Sequence, residues 1–285
     1  MQVHKAVITA AAPKQNTLPL QQLVDRNGET KTALQLIVEE TLSAGIEEIC
    51  VVIRPGDQEA YEQAAGTHLA SIQFVEQPEP RGYADAIYQA KSFVGDQPFL
   101  HLVGDHLYLS ASDIPCAKQL IKIASEFECS VSAVQSTREN KLPYFGIVSG
   151  PHLPRRDDLY EVEAVVEKPT PTYAEQELVT PGLRAGHYLG FFGMHVLTAE
   201  AMMSIEQLLA DHAHEKPSLS DALAMLTSRQ RYLAYRLQGS RYNLGVTYGL
   251  LIAQLAIGLS GRDRDRILTE MVELLAARAE GITAQ

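Results

Sequence analysis

KAVITAAAPKQNTLP, residues 5–19, decides how the rest of the chain is read. Val3 to Thr9 form a short apolar, β-branched run, the pattern of a strand buried in the centre of a sheet. Ala10, Ala11 and Ala12 are small, and Pro13 ends the regular structure. A buried strand emptying into a small-residue loop and then a helix is how an α/β fold makes a phosphate site. Small residues let the anion approach the backbone, and free N–H groups point at it. The same residues also suit an ordinary strand-to-loop edge, so this stretch alone leaves both open.

Outward from it, Leu34, Ile37, Val38 and Leu42 recur at helical spacing, and Gly45 is a stop signal. EICVVIR, residues 48–54, is a second strand closed by Pro55-Gly56. Strand, helix, strand at this spacing predicts a right-handed crossover of a parallel sheet. Residues 57–69 predict a short helix and 72–75 a third strand. EQPEPRGYADAIYQA then runs from a Pro/Gly loop into a helix near Ala84. FLHLV, residues 99–103, is a fourth strand ending in Gly104-Asp105-His106. Such doubly wound sheets bind ligands at the carboxyl ends of their strands.

Past Ser112 the pattern becomes less regular. Residues 113–127, 198–210 and 219–226 predict helices, the last with a capping segment at 218–221. Residues 130–136, 144–148, 160–166, 184–195 and 232–237 predict strands, 169–183 a polar loop and 242–245 a turn. An apolar helix follows over 246–259. A last amphipathic helix carries Ile267, Leu268, Met271, Val272 and Leu275 on one face. These two helices suit packing on the core or on a second subunit. No repeat, low-complexity tract or linker divides the chain, which predicts one domain over residues 1–285.

With 285 residues, 46% of them hydrophobic, the chain can bury a large core. No apolar run approaches the roughly 20 residues of a membrane span. MQVHKAVITAAAP goes straight into a strand and lacks the apolar core of a secretory signal, so a cytoplasmic protein is expected. A net charge of -11 argues against nucleic-acid binding, which needs basic surfaces. Cys50, Cys116 and Cys129 lie far apart and read as buried, reduced thiols. No GxGxxG follows the first strand, which disfavours a dehydrogenase or methyltransferase of Rossmann type.

Several stretches resemble, in collinear order, the sugar-1-phosphate nucleotidylyltransferases, nearest to the bacterial UTP–glucose-1-phosphate uridylyltransferases. They are KAVI at Lys5, AGIEEICVV at Ala44, VEQPEPRGYADAI at Val75, HLVGDH at His101, YFGIV at Tyr144 and VVEKP at Val165. AGHYLGFFGMHVL at Ala185 and SLSDAL…GSRYNLGVTYGLLIA to Leu259 complete the series. The resemblance implies a three-layer α/β fold with a mostly parallel doubly wound sheet and a small irregular sugar-binding lobe. It implies a nucleotide-binding half over 1–110, a sugar-binding half over 111–245 and C-terminal helices over 246–285. Its chemistry is in-line attack of a sugar 1-phosphate on the α-phosphorus of UTP or dTTP with loss of pyrophosphate. Positioning and charge neutralisation carry such a transfer.

The resemblance also implies roles. Ala11 and Ala12 would lie along the phosphates, and Gln77, Pro78 and Gly82 would hold the base. Gly146, Glu167, Lys168 and Tyr188 would form the sugar site, with Lys168 meeting the sugar phosphate. Asp105 would ligate Mg²⁺. Each has a plainer alternative: Asp105 as a turn or capping carboxylate, Gln77 as a loop residue, Glu167 and Lys168 as a surface charge pair. His101 and His106 flank Asp105, but strand alternation would put Asp105 and His106 on opposite faces.

Departures fall on the triphosphate side. The family's glycine-rich loop becomes Ala12-Pro13-Lys14-Gln15-Asn16, with Asn16 at the place of its catalytic arginine and Lys14 expected to stand in for it in part. Asn243 stands where the family has a second Mg²⁺-binding aspartate. Two functions follow as expectations: an active nucleotidylyltransferase with a remodelled loop, or a silent relative that binds a sugar phosphate or sugar nucleotide and regulates or scaffolds a partner.

Overall fold

The structure, a computed structural model, describes residues 1–13, 15–211 and 216–282. Strand β1 (Lys5–Thr9) lies inside a ten-stranded sheet, as its apolar run predicts. Ala6 and Ile8 point into the core on one face, and Val7 into the core on the other. All three are fully buried, and burying an Ile or Val side chain contributes about 1.5–3 kcal/mol. A strand apolar on both faces is stable only between two layers of helices, which is where β1 sits.

After β1 comes a hairpin, β2 (Gln22–Val24) and β3 (Thr30–Thr32), not a helix. Helix α1 (Ala33–Ser43) begins only at the Thr32/Gln35 capping box. The crossover series continues through β4 (Glu48–Ile53), α2 (Gln58–Ala65), β5 (Ile72–Glu76), α3 (Tyr83–Tyr88), α4 (Lys91–Val94) and β6 (Phe99–Val103). Then come β7 (His106–Ser110), α5 (Cys116–Phe127), β8 (Ser130–Arg138), β9 (Gly146–Ser149), β10 (Leu159–Glu161) and β11 (Ala164–Glu167). The rest is α6 (Pro171–Glu177), β12 (His187–Leu197), α7 (Ala199–Ala210), α8 (Leu219–Leu226), β13 (Tyr232–Arg236), β14 (Gly239–Asn243), α9 (Gly249–Leu259) and α10 (Arg264–Ile282).

The sheet runs β10-β13-β8-β12-β6-β1-β4-β5, with β9 on β12 and β11 on β9. Strands β1, β4, β5, β6, β8, β9 and β13 run one way; β10, β11 and β12 run the other. The expected mostly parallel α/β sheet is therefore present. From β1 the chain passes to β4 and β5 on one side and to β6 on the other, which makes the carboxyl ends of β1 and β6 a switch point. A smaller lobe has its own core of Leu142, Ile147, Ala174, Leu178 and Tyr188.

Further elements differ from expectation: the strand expected over 160–166 is two, β10 and β11, on different partners, and β7 was not expected. The expected polar loop contains α6, started by Thr170 as cap and Pro171 in the first turn. The expected turn at 242–245 begins inside β14, which pairs with β7 in a separate two-stranded ribbon. The three cysteines are buried and unpaired, and burial pushes the Cys50 thiol up to about 12. No described helix is long and apolar enough to cross a membrane. On α9 and α10, Leu251, Ile252, Leu268, Val272 and Leu275 are exposed.

Candidate active site

The carboxyl ends of β1 and β6, the loop after β5, and residues from β11 and β14 enclose a cleft of about 1140 Å³. Thr9 and Val103 are register partners, and the Gly104 N–H donates to the Thr9 carbonyl at 2.8 Å. A Cβ on Gly104 would stand 2.9 Å from that carbonyl, so glycine is what lets the two strand ends meet. The cleft brings together Ala11, Ala12, Gln77, Gly82, Asp105, Glu167, Lys168 and Asn243. Pro78, Gly146 and Tyr188 do not line it, and Lys14 lies outside the described residues.

On the side of β5, Gln77 is buried and its amide nitrogen donates to the Gly82 carbonyl at 3.1 Å and to Asp85 Oδ2 at 2.8 Å. Both amide hydrogens are thus used, while the amide oxygen has no hydrogen bond among the described residues. Such an oxygen can accept from the ring N–H of a pyrimidine. Gly82 has φ 126°, and a Cβ there would meet the Pro217 carbonyl at 2.7 Å. Glycine is required at this close approach. Pro78 is exposed on the outer side of the loop, and Pro80 faces the cleft in its place.

On the side of β11, Ser220 donates to Glu167 Oε2 at 2.6 Å, and Lys168 Nζ stands 3.5 Å from Oε1. Lys168 has φ 47°, a left-handed conformation that costs a non-glycine residue about 1–2 kcal/mol. Its N–H donates to the Phe145 carbonyl, which helps hold that conformation. Gly146 pairs with Glu167 in the ladder, but it supports the site from behind. A Cβ there would lie 2.4 Å from Ser220 Oγ, so its absence admits the hydroxyl that reaches Glu167. Tyr188 is buried in the lobe's own core and does not line the cleft.

The loop side is spent differently. The N–H groups of Ala11 and Ala12 have no hydrogen-bond partner among the described residues, as an anion site needs. Asn16, which the resemblance would put at the arginine position, does not line the cleft. Its side-chain amide donates to Asp57 Oδ2 at 2.8 Å, and its carbonyl accepts from the Tyr61 hydroxyl at 2.6 Å. Asn243 Oδ1 accepts from the Gly245 N–H at 2.7 Å, an Asx turn at the end of β14.

Asp105 sits in the turn between β6 and β7, so strand alternation does not apply to it. The expected opposite facing of Asp105 and His106 is corrected: His106 Nδ1 donates to Asp105 Oδ1 at 2.7 Å. Burial raises the Asp105 carboxyl, but the hydrogen bond and charge of His106 outweigh it and hold the carboxyl below its usual range. Among the described residues no cluster of three His, Cys, Asp or Glu side chains could hold a metal alone. One carboxylate and a neutral amide suit a Mg²⁺ ion that takes most of its oxygens from ligand phosphates and water.

Tyr83, Arg138, Lys141, Lys216 and Arg241 also line the cleft and were not anticipated. Arg241 is buried, with its guanidinium 3.7 Å from the centre of the Phe145 ring. Its placement follows from the pairing of β14 with β7, far away in sequence. No local pattern in GSRYN announces it.

Residues 17–248 match the Nucleotidyl transferase family. The UTP–glucose-1-phosphate uridylyltransferase of Streptococcus pneumoniae serotype 4 is 30% identical over 276 residues, 87% of this chain and 88% of that protein. UTP–glucose-1-phosphate uridylyltransferase 1 of Streptococcus pyogenes serotype M1 is also 30% identical, over 87% of this chain and 86% of its own. Among solved structures, a UDP-glucose pyrophosphorylase in complex with UDP-glucose shares the fold at TM-score 0.73 and 22% identity, over 90% of this chain and 98% of that one. UDP-glucose pyrophosphorylase from Acinetobacter baumannii gives TM-score 0.73 at 25% identity, over 96% of this chain and 100% of that one. Motif order, a cleft at the switch point and similarity along most of the chain agree: this protein belongs to the nucleotidyl transferase family, alongside the bacterial UTP–glucose-1-phosphate uridylyltransferases.

Proposed function

We propose that the protein transfers a nucleotidyl group from UTP or dTTP to a sugar 1-phosphate, glucose 1-phosphate being the acceptor, and releases pyrophosphate. The observation that carries this is the convergence of Gln77, Gly82, Asp105, Glu167 and Lys168 on one cleft. Gln77 Oε1 accepts from the pyrimidine. Glu167, its other oxygen held by Ser220, accepts sugar hydroxyls. Lys168 neutralises the sugar phosphate as its oxygen attacks the α-phosphorus in line. Asp105, kept ionised by His106, would hold Mg²⁺ together with ligand phosphates, and the ion would supply charge neutralisation there.

Turnover is expected to be slow, because Asn16 and Asn243 are engaged in the protein's own hydrogen bonds. Three buried, unpaired cysteines support a reducing, cytoplasmic setting. The exposed apolar residues of α9 and α10 support a homo-oligomer, which light scattering would detect.

The test is pyrophosphate release from UTP and dTTP with a panel of sugar 1-phosphates and Mg²⁺. Release that requires a sugar 1-phosphate, at a rate below the roughly 10 per second of an ordinary enzyme, is expected. No release with any pair, in a protein that still binds UDP-glucose, would replace transfer by sugar-nucleotide binding alone.

A further inference from the structure

Arg241 is the one buried guanidinium in the cleft wall, and its chemistry is incomplete. Among the described residues neither Nη atom has a hydrogen-bond partner, although both are sealed from water. The residue is 8% exposed, and the Phe145 ring covers its plane at 3.7 Å. A cation–π contact offsets part of the lost hydration but leaves the Nη hydrogens unused. A buried cation without an anion is among the more costly arrangements a fold can hold. Burial accordingly drags Arg241 down to about 9.

Among the described residues no carboxylate forms an ion pair with it. Two residues along the same strand, Asn243 is neutral and its amide oxygen is taken by Gly245. Asp105 is held by His106, and Glu167 by Ser220 and Lys168. The other cleft-lining cations are Lys141, Lys168, Lys216 and Arg138. A planar guanidinium with two free edges, in a wall where the acids are otherwise engaged, matches the geometry of phosphate oxygens.

We infer that Arg241 is a phosphate-binding residue of this cleft, taking the diphosphate of a nucleoside diphosphate or its sugar ester by its guanidinium edge. It supplies positive charge on β14, whereas Asn16 of the loop supplies none and is turned away to Asp57. Phe145, a partly exposed ring on the cleft wall, lies over the guanidinium plane, and a ligand that reaches the Nη atoms has to displace it. The inference rests on the nucleotide-binding role proposed above.

The experiment is calorimetry with uridine, UDP and inorganic pyrophosphate in EDTA, on the full chain and on Arg241→Gln and Arg241→Lys. In the unaltered protein UDP is expected to bind much more tightly than uridine without any divalent ion. Arg241→Gln should lower UDP affinity on the order of 100-fold and leave uridine within about threefold. Arg241→Lys, which keeps the charge and loses the fork, should fall between, and it carries the test if Arg241→Gln does not melt cooperatively. A UDP-to-uridine ratio unchanged by both substitutions would overturn the inference, as would equal losses for uridine and UDP. If the unaltered protein binds pyrophosphate through Arg241 but neither uridine nor UDP, Arg241 stands as the anion site and the nucleotide reading falls.

Discussion

The two walls of the cleft hold similar polar side chains and use them in opposite ways. On the β11 wall, Glu167 keeps one oxygen on Ser220 and directs the rest of its accepting capacity to the cleft, beside Lys168. On the loop wall, Asn16 gives its amide to Asp57 away from the cleft, Asn243 at the adjoining end of β14 gives its oxygen to Gly245, and both are neutral. At these two positions the side chain serves the local scaffold. What such a wall retains for an anion is backbone, the open N–H groups of Ala11 and Ala12, and the cations on other elements.

The largest expected effect tests the β11 wall. Glu167→Ala should weaken UDP-glucose binding on the order of 100-fold or more, since two hydrogen bonds to a charged acceptor are lost at about 1.5–3 kcal/mol each. Calorimetry on a variant with an intact melting transition decides it. Unchanged affinity would remove Glu167 from the site and leave the two walls alike.

Next comes reconstruction of the loop wall. Asn243→Asp alone should raise pyrophosphate release by no more than about threefold, because a second carboxylate cannot position a triphosphate that the loop does not cradle. Asn16→Arg alone also forfeits the Asp57 hydrogen bond. Joined to each other and to glycines at Ala12 and Lys14, they should gain on the order of 10- to 100-fold, more than the product of the single effects. An unaltered protein already turning over at about 10 per second would break the comparison, since its loop wall would then need no repair.

A smaller effect concerns Mg²⁺. With Asp105 as the single carboxylate at that position, Mg²⁺ should improve UDP-glucose affinity by about three- to tenfold and EDTA should reverse the gain. Asp105→Asn should show neither response. The same Mg²⁺ dependence in both proteins would make Asp105 a turn carboxylate serving His106.

How far the sequence carried the reader follows the same division. The crossover half was legible because β1, β4 and β6 are apolar on both faces, and only a two-sided core accommodates that. The resemblance pointed to Gln77, Asp105, Glu167 and Lys168, and all four line the cleft because each sits at or just past a strand end, where chain order fixes position. Gly146 and Tyr188 do not line the cleft, because they pack on Ser220, Phe191 and the lobe core, which are neighbours in space only. The β7–β14 ribbon was missed for a related reason. HLYLS follows a tight turn and GSRYN has turn composition, so only their distant pairing makes them strands, and Arg241 came to light with that pairing.

The smallest effect is the sharpest test of the difference between the walls. Asn16 is tied twice, by its amide to Asp57 and by its carbonyl to the Tyr61 hydroxyl. Asn16→Ala removes only the first, because the carbonyl belongs to the backbone. The loss should be about 0.5–1.5 kcal/mol of stability, a fall of roughly 1–6 °C in melting temperature for a chain of this size. Tyr61 is fully buried and continues to anchor the loop, so UDP-glucose affinity should stay within about twofold. Glu167→Gln should do the reverse: its amide oxygen still accepts from Ser220, so the melting temperature holds, while the lost charge weakens sugar binding by about tenfold. One substitution moves stability without binding and the other moves binding without stability. If Asn16→Ala instead weakens nucleotide binding tenfold at an unchanged melting temperature, Asn16 reaches the ligand, and the loop wall is a working part of the site.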